Sequence, residues 1–411
     1  MSDTTKATHW SNLREECAFL WLQRDHAVRA PNVRLINLAR ADARLDAYLA
    51  ALRPAVASVL ASEPDATPGA TFCEAFLAIE AGNLQAVDQL MHRPQQHELI
   101  AALCMAAQPA ATVVIDRLRA ETADPVAQVL HLAASGGRRR SPRGALDDAL
   151  SHPEASVRAR AYRSVGQLGL IDHQRPLLTG LQEEDAECRF WAAWAAARMG
   201  ADEPVSVLAD IAWNNSAHAD DALDILLRRL EVGQANAWLR ELARLPERQR
   251  SLLRATGVIG DPLYVPWLIE RMAEPAAARL SGEAFSMITG VDLAYSDLVL
   301  RPPPSVPDEP NDDPADENVA LDEDAYLSWP DPGRVGQWWS DNRGRFTVGT
   351  GYFLGTPKDA ADWLGALSDG YQRQRHAAAL ELAIRQPGSA MFETRARARL
   401  QRQLLVRARG T

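Results

Sequence analysis

At 411 residues the chain is long enough for two or three domains or for one extended solenoid. Its composition, 47% hydrophobic but only 6% aromatic, is typical of helices packed on helices. A net charge of −10 disfavours a nucleic-acid binder, which would usually be basic. Four scattered cysteines predict a reducing compartment and no structural zinc.

The N-terminal part reads as helices that form a cap over residues 1–62. Apolar residues recur at helical spacing before and after a break at Pro31 and Asn32. The N-terminus lacks a signal-peptide pattern, and no stretch approaches 18 uncharged apolar residues. We therefore expect a soluble, cytoplasmic protein without a membrane span.

A repeat with a period near 30 dominates the middle of the chain. Residues 152–169 align with residues 183–200 at an offset of 31, and a third copy covers 274–290. Each copy has an acidic or proline start, an arginine, small residues and a closing glycine, which resembles the HEAT repeat. The resemblance implies helical hairpins stacked as a solenoid over 65–298. We expect seven or eight hairpins, whose first helices end near Gly82, Gln108, Gly136, Gly169, Gly200, Glu231, Gly260 and Gly290.

Arginines recur at the repeat period. Each follows an acidic residue by four or five positions: Arg158 after Glu154, Arg189 after Asp185, and Arg279 after Glu274. A ladder of ion pairs between repeats is favoured over an anion site. A denser basic run, Arg138, Arg139, Arg140 and Arg143, is interpreted as a polar loop in preference to a patch for phosphate or an acidic partner.

The C-terminal quarter changes character twice. Residues 302–332 carry ten Asp or Glu and no Lys or Arg, which predicts an acidic, proline-rich linker over 299–328. A small module over 329–411 follows, first Trp-rich and then basic, with helices expected at 358–368, 371–386 and 392–408. The expected fold is thus all-α, a HEAT-like solenoid with an acidic linker and a C-terminal module.

The sequence gives little indication of a catalytic, cofactor-binding or metal-binding site. The nucleophile motif G-x-S-x-G, a phosphate loop and a dinucleotide fingerprint are all absent. The acidic run lacks the glycine of an EF-hand, and His97-Glu98 is a single pair. We therefore assign no catalytic, cofactor-binding or metal-binding residue and expect no cofactor.

Aromatic residues on the second helices suggest a binding surface instead. Tryptophan and tyrosine at helical spacing are usually core, but they are also enriched at binding hot spots. The residues assigned to partner binding are Trp213, Trp238, Tyr264, Trp267 and Arg271. A protein partner is expected, whereas nucleic acid and a small molecule are not.

Four segments together resemble an uncharacterised family of bacterial HEAT-repeat proteins often encoded beside type VI secretion genes. They are residues 19–53, 260–298, 329–339 and 370–383, and "ITGVDL" at 288–293 is the most specific part. The resemblance implies an adaptor or chaperone in effector delivery, with a secretion effector or spike component as partner. An enzyme built on a HEAT solenoid, acting on nucleic acid or a bound small ligand, is the alternative, and a scaffold without cargo is a third.

Overall fold

The computed structural model describes residues 3–61, 67–121, 123–142, 144–214, 216–301 and 324–410. Across these residues the fold is all-α apart from one small β-hairpin, as predicted. Three helices open the chain: α1 (Asp3–Ala27), α2 (Leu35–Leu52) and α3 (Val56–Leu60). Pro31 and Asn32 lie in the break between the first two, where the sequence predicts it.

The repeat region is a series of helical hairpins. Its helices are α4 (Pro68–Glu80), α5 (Leu84–Met91), α6 (Gln96–Met105), α7 (Gln108–Ala120), α8 (Pro125–Gly137), α9 (Ala145–Leu150), α10 (Ala155–Leu168), α11 (Gln174–Gly180), α12 (Ala186–Arg198), α13 (Pro204–Trp213), α14 (Ala219–Arg229), α15 (Val232–Leu242), α16 (Gln249–Ile259), α17 (Val265–Arg271) and α18 (Pro275–Thr289). The even-numbered helices from α4 to α18 are the first helices of the hairpins. All eight end within three residues of the predicted positions, so the repeat assignment is confirmed.

Beyond residue 324 the helices are α19 (Pro332–Asn342), α20 (Trp363–Asp369), α21 (Gln372–Arg385) and α22 (Ala398–Arg409). Strands β1 (Tyr352–Phe353) and β2 (Thr356–Pro357) form an antiparallel hairpin. Short 3₁₀ turns cover Arg53–Ala55, Ile171–His173, Pro246–Arg248, Pro262–Tyr264 and Arg343–Arg345. The acidic linker predicted for 299–328 falls mostly on residues 302–323, which lie outside the described residues.

The chain divides into two compact units. One comprises Met1–Arg29, Val33–Val207 and Leu364–Thr411, and the other Ala30–Asn32 and Leu208–Trp363. These units group the residues differently from the predicted domains, because residues 329–363 and 364–411 belong to different units.

In the first unit the N-terminal helices pack onto the first hairpin. The Trp21 ring stacks on Phe72 with centroids 3.8 Å apart, and both side chains are fully buried. The first helices α4, α6, α8, α10 and α12 then pack on one another in order. Their small residues allow this close approach.

An irregular segment of the same unit, which we call the C-terminal strap, covers residues 386–397 between α21 and α22. Three arginines of the helical region donate hydrogen bonds to its main-chain carbonyls. Arg24 bonds the oxygen of Arg395 at 2.7 Å, Arg198 bonds that of Pro387 at 2.9 Å, and Arg139 bonds that of Met391. The helix predicted for 392–408 begins six residues late, at Ala398, and the carbonyls of Met391 and Arg395 bond to arginines and not to a following helical turn.

The second unit contains an eighth hairpin whose two helices lie far apart in sequence. Helix α18 packs on α17, and α17 packs on α19. The Trp338 ring of α19 meets Phe285 of α18 edge to face, with centroids 5.5 Å apart. Val335 is fully buried in the same core. Helix α19 thus packs as the second helix of this hairpin.

The chain leaves and re-enters this hairpin at one point. The amide of Leu300 donates to the carbonyl of Trp329, and the amide of Asp331 donates to that of Leu298, both at 2.8 Å. These antiparallel bonds join the two ends of the intervening stretch.

Arg158, the first of the three period-spaced arginines, forms a two-bond ion pair with Glu183, in the turn before the next hairpin. Both bonds from Arg158 to the carboxylate of Glu183 are 2.8 Å long. Arg158 and Arg189 also donate to carbonyls five and six residues back, which fastens each helix to its preceding turn. Arg279 bonds the carbonyl of Asp324 at 2.9 Å. The recurring contact is therefore with the main chain.

Candidate protein-binding site

A cavity of about 480 Å³ lies in the second unit, beside helices α15, α16 and α17. Three of the predicted partner-binding residues line it: Tyr264, Trp267 and Arg271. The complete lining is Leu239, Arg240, Ala243, Leu245, Pro246, Gln249, Leu252, Thr256, Tyr264, Trp267 and Arg271. Two successive second helices and the first helix between them therefore build this cavity.

The local sequence explains why the aromatic residues face the cavity. Tyr264, Trp267 and Arg271 are spaced by three and four residues, so they share one side of α17 and the turn before it. Asp261 caps that turn through a 3.0 Å bond from the amide of Leu263 to its Oδ1 atom. Asn236 of α15 donates to Oδ2 of the same carboxylate at 2.8 Å, which ties α15 to α17.

The cavity combines an apolar floor with cationic edges. Leu252 and Thr256 are buried, and Tyr264 and Trp267 are half-buried. Burial raises the pKa of the Tyr264 hydroxyl, so the phenol is neutral and can donate a hydrogen bond. Arg240 is exposed beside this apolar surface.

Arg271 lies at the edge of the cavity and keeps a hydrogen-bond donor without a partner among the described residues. Its Nη1 atom lies 2.6 Å from the carboxylate of Glu274. Its Nε atom is buried and has no hydrogen-bond partner among the described residues. The arrangement suits an apolar side chain that enters beside a carboxylate.

The other two predicted residues form a separate pair. The rings of Trp213 and Trp238 meet edge to face, with centroids 6.0 Å apart at an interplanar angle of 71°. Trp213 keeps 44% of its surface exposed, and Trp238 is half-buried. Neither lines the cavity, so the five residues divide into a cavity group of three and an aromatic pair.

Sequence reasoning missed Leu239, Arg240, Leu252 and Thr256. Leu252 and Thr256 are four residues apart on α16, so their shared face is readable from spacing. Their position opposite Trp267 depends on how α16 packs between the second helices, which spacing within one helix does not encode.

The histidine considered as a metal ligand has a different environment. The His97 Nε2 atom lies 3.2 Å from Oδ1 of Asp25, across α6 and α1. Among the described residues no group of three or more His, Cys, Asp or Glu is placed to hold a metal. The same part of the chain contains no helix that is long and apolar enough to cross a membrane.

The dense basic run is divided among several contacts. Arg138 donates to the carbonyl of Leu103 at 2.6 Å, at the end of α6, and Arg139 lies 3.1 Å from the carboxylate of Glu393. Arg140 is exposed, and Arg143 lies outside the described residues. The run therefore binds other segments of its own unit through two of its members.

A comparison with protein-family models matches residues 144–221 to HEAT repeats. This range runs from the start of α9 into α14. The match and the stacked hairpins support a HEAT-repeat protein with an all-α, solenoid-type fold. Searches of the curated proteins and of the solved structures found no significant match.

Proposed function

We propose that the chain is a non-enzymatic adaptor or chaperone that binds a segment of a protein partner in the cavity beside Tyr264 and Trp267. The observation that carries this proposal is the aromatic and apolar surface placed between Arg240 and Arg271. Tryptophan, tyrosine and arginine are the residue types most enriched at binding hot spots.

The repeat architecture supports the same class of function. HEAT repeats are commonly protein-interaction scaffolds, and residues 144–221 match them. A repeat array offers a long surface made of equivalent positions, which suits the binding of an extended or helical segment.

The partner is proposed to be a type VI secretion effector or spike component, bound in the cytoplasm. This step rests on the family resemblance of residues 19–53, 260–298, 329–339 and 370–383. The lining of the cavity supports only the chemistry proposed for the bound segment, which is an apolar side chain next to an acidic one.

Trp267→Ala tests the proposal by affinity purification from the native host, with quantitative mass spectrometry of the bound proteins. Truncating a central tryptophan hot spot costs about 2 kcal/mol or more, which corresponds to roughly a thirtyfold loss of affinity. The genuine partner should therefore be strongly depleted with Trp267→Ala and with Arg271→Gln. Circular dichroism should show the same helical content in both variants.

Trp191→Ala is the matched control. Trp191 is also a half-buried tryptophan, on α12, and its Nε1 donates to Glu187 at 2.7 Å outside the cavity. This variant should retain the partner. Bound proteins that are identical for Trp267→Ala and the wild type would rule the cavity out, and unfolding of Trp267→Ala would make Trp267 a core residue.

A further inference from the structure

A second cavity, of about 520 Å³, lies in the first unit beside α7 and α8. We call it the arginine cavity, because Arg119, Arg138 and Arg140 all line it. Asp116 is the one acidic residue of its described lining, and it is exposed. The lining therefore carries a formal charge of +2, although the whole chain is acidic.

The three guanidinium groups differ in how far they are already engaged. Arg138 is the most engaged, because its Nη1 atom donates to the carbonyl of Leu103 at 2.6 Å and its Nη2 atom donates to Oε1 of Gln108, which fixes its orientation. Arg119 lies 3.8 Å from Asp116, and both side chains are more than half exposed. Arg140 reaches Thr112 Oγ1 at 3.5 Å and has no carboxylate partner among the described residues. Arg140 is thus the cation most available to an incoming anion.

His131 and Ser135, one turn apart on α8, add neutral polar groups to the same wall. His131 is 95% buried, and its Nδ1 atom lies 3.2 Å from the carbonyl of Ile115. A carbonyl can only accept, so Nδ1 carries the proton and Nε2 is an acceptor. That Nε2 atom has no partner among the described residues. Burial lowers the pKa of His131, and nearby Arg119 adds to this effect, so the ring is neutral near pH 7.

The lining of the arginine cavity therefore favours a ligand with two kinds of group. The arginines favour an anionic group. The buried Nε2 acceptor of His131 has no donor among the described residues, which costs about 1–3 kcal/mol of stability, so it favours a ligand hydroxyl that donates to it. The hydroxyl of Ser135, a residue only 4% exposed, lies in the same lining. These groups match a ligand that carries both an anionic group and hydroxyls.

Size and polarity narrow the ligand further. Small-molecule sites occupy roughly 300–1,000 Å³, so inorganic phosphate alone would leave most of this cavity empty. Ile115 and Pro142 supply the apolar side chains of the described lining, and the lining contains no Trp, Tyr or Phe. A nucleobase would therefore find no aromatic ring on which to stack.

We propose that the arginine cavity binds a phosphorylated sugar, with the phosphate held by Arg140, Arg138 and Arg119 and the sugar hydroxyls facing His131 and Ser135. This site is independent of the proposed protein-binding cavity and lies in the other unit. It departs from the expectation that no small molecule binds. His131, Ser135 and Arg138 share one face of α8 and its end through spacing alone, but Arg119 of α7 joins them only through the packing of the two helices.

Isothermal titration calorimetry of the full chain tests this site with glucose 6-phosphate, inorganic phosphate, glucose and gluconate. Glucose 6-phosphate should bind at least about tenfold more tightly than each of the other three. Glucose lacks the anion, inorganic phosphate lacks the sugar hydroxyls, and gluconate offers the arginines a singly charged carboxylate in place of a phosphate. Tighter binding of gluconate or of inorganic phosphate, or no binding of glucose 6-phosphate at millimolar concentration, would overturn the proposal.

Two variants separate ligand contacts from general effects of charge. Arg140→Gln should weaken binding of glucose 6-phosphate about tenfold or more, since a hydrogen bond to a charged group contributes about 1.5–3 kcal/mol. Arg117→Gln removes the same charge from α7 outside the cavity, where Arg117 bonds Asp88 at 3.0 Å, and should change affinity less than about twofold. Equal losses in both variants would contradict the site.

His131→Asn tests the hydroxyl contact separately. The asparagine amide can keep the bond to the Ile115 carbonyl, but it removes the Nε2 acceptor. The preference for glucose 6-phosphate over inorganic phosphate should fall several-fold while the affinity for inorganic phosphate stays the same. An unchanged preference would exclude a sugar hydroxyl at His131.

Discussion

The carbonyl oxygen of Ser389 lies against Gly169, so closely that a β-carbon at residue 169 would be 2.3 Å from it. Gly169 also has a φ of 67°, in the left-handed region, as expected for a glycine that ends a helix. The same glycine therefore serves two purposes. It closes α10, and it lets the C-terminal strap approach the helix end.

Gly169→Ala should destabilise the protein by about 2–4 kcal/mol. A side chain in the left-handed region costs about 1–2 kcal/mol, and displacing the strap backbone adds a comparable amount. Gly200→Ala is the matched control, because Gly200 also has positive φ, at 91°, but nothing lies within 4 Å of its ideal β-carbon. That variant should lose only the backbone contribution. Urea denaturation compares the two, and equal losses would mean that the contact with Ser389 contributes nothing.

Asp25 should make folding stability depend on pH in the acid range. Burial alone would raise the pKa of Asp25, but the hydrogen bond from His97 and the ion pair with Arg29 outweigh it and lower the pKa to about 2. The folded state thus holds the proton less tightly than the unfolded chain, whose Asp pKa is about 3.9. The stabilisation is complete above pH 4, and it is lost as the pH falls through 2.

Asp25→Asn should lower the free energy of unfolding at pH 7 by about 2 kcal/mol, at 1.36 kcal/mol per pKa unit. The difference from the wild type should shrink between pH 4 and pH 2. Asp88→Asn, which breaks the exposed ion pair with Arg117, is the control and should cost less than about 1 kcal/mol at pH 7. Denaturation curves at pH 7, 4 and 2.5 provide the measurement. A constant difference at all three pH values would refute this assignment.

The paired ends at Leu298–Leu300 and Trp329–Asp331 predict that the stretch between them can be shortened. Replacing residues 303–322 with eight Gly and Ser residues should leave the melting temperature within about 2 °C of the wild type. The bonds that join the ends remain in place, and loop length has only a weak effect on closure entropy. Differential scanning calorimetry measures the change.

Val335→Ala is the contrasting variant for the shortened chain. It truncates a fully buried side chain of α19 and should cost about 2 kcal/mol. If the shortened chain were strongly destabilised and Val335→Ala only mildly, the prediction that this stretch can be shortened would be wrong. The packing of α19 in the hairpin would then depend on the intervening residues.

Much of the fold was predictable because its signals are local. The closing glycines and the period near 31 mark the helix ends, and those positions agree with the structure. The strap and the pairing of Leu300 with Trp329 were not predictable, because each joins residues distant in sequence. Gly169 carries the cap signal in its own neighbourhood, but nothing near it points to Ser389, 220 residues later.

The residues of the candidate site can likewise be separated into those whose grouping follows from local spacing and those whose placement depends on packing. Tyr264, Trp267 and Arg271 share a face through spacing alone, so their grouping could be predicted. Trp213 ends α13 and Trp238 lies within α15, and the two pair with each other outside the cavity. Their placement depends on the packing of α13 against α15.

The strap is recognised mainly through the atoms that every residue has in common. Arg24, Arg139 and Arg198 bond its main-chain carbonyls, which any residue supplies, and Arg139 also pairs with the side chain of Glu393. Substitution within residues 387–396 should therefore be well tolerated over evolutionary time at positions other than Glu393 and the buried Met391 and Thr394, provided that the number of residues and the glycine at 169 are kept. Related chains would then be easier to recognise by the three arginines than by the segment that they hold.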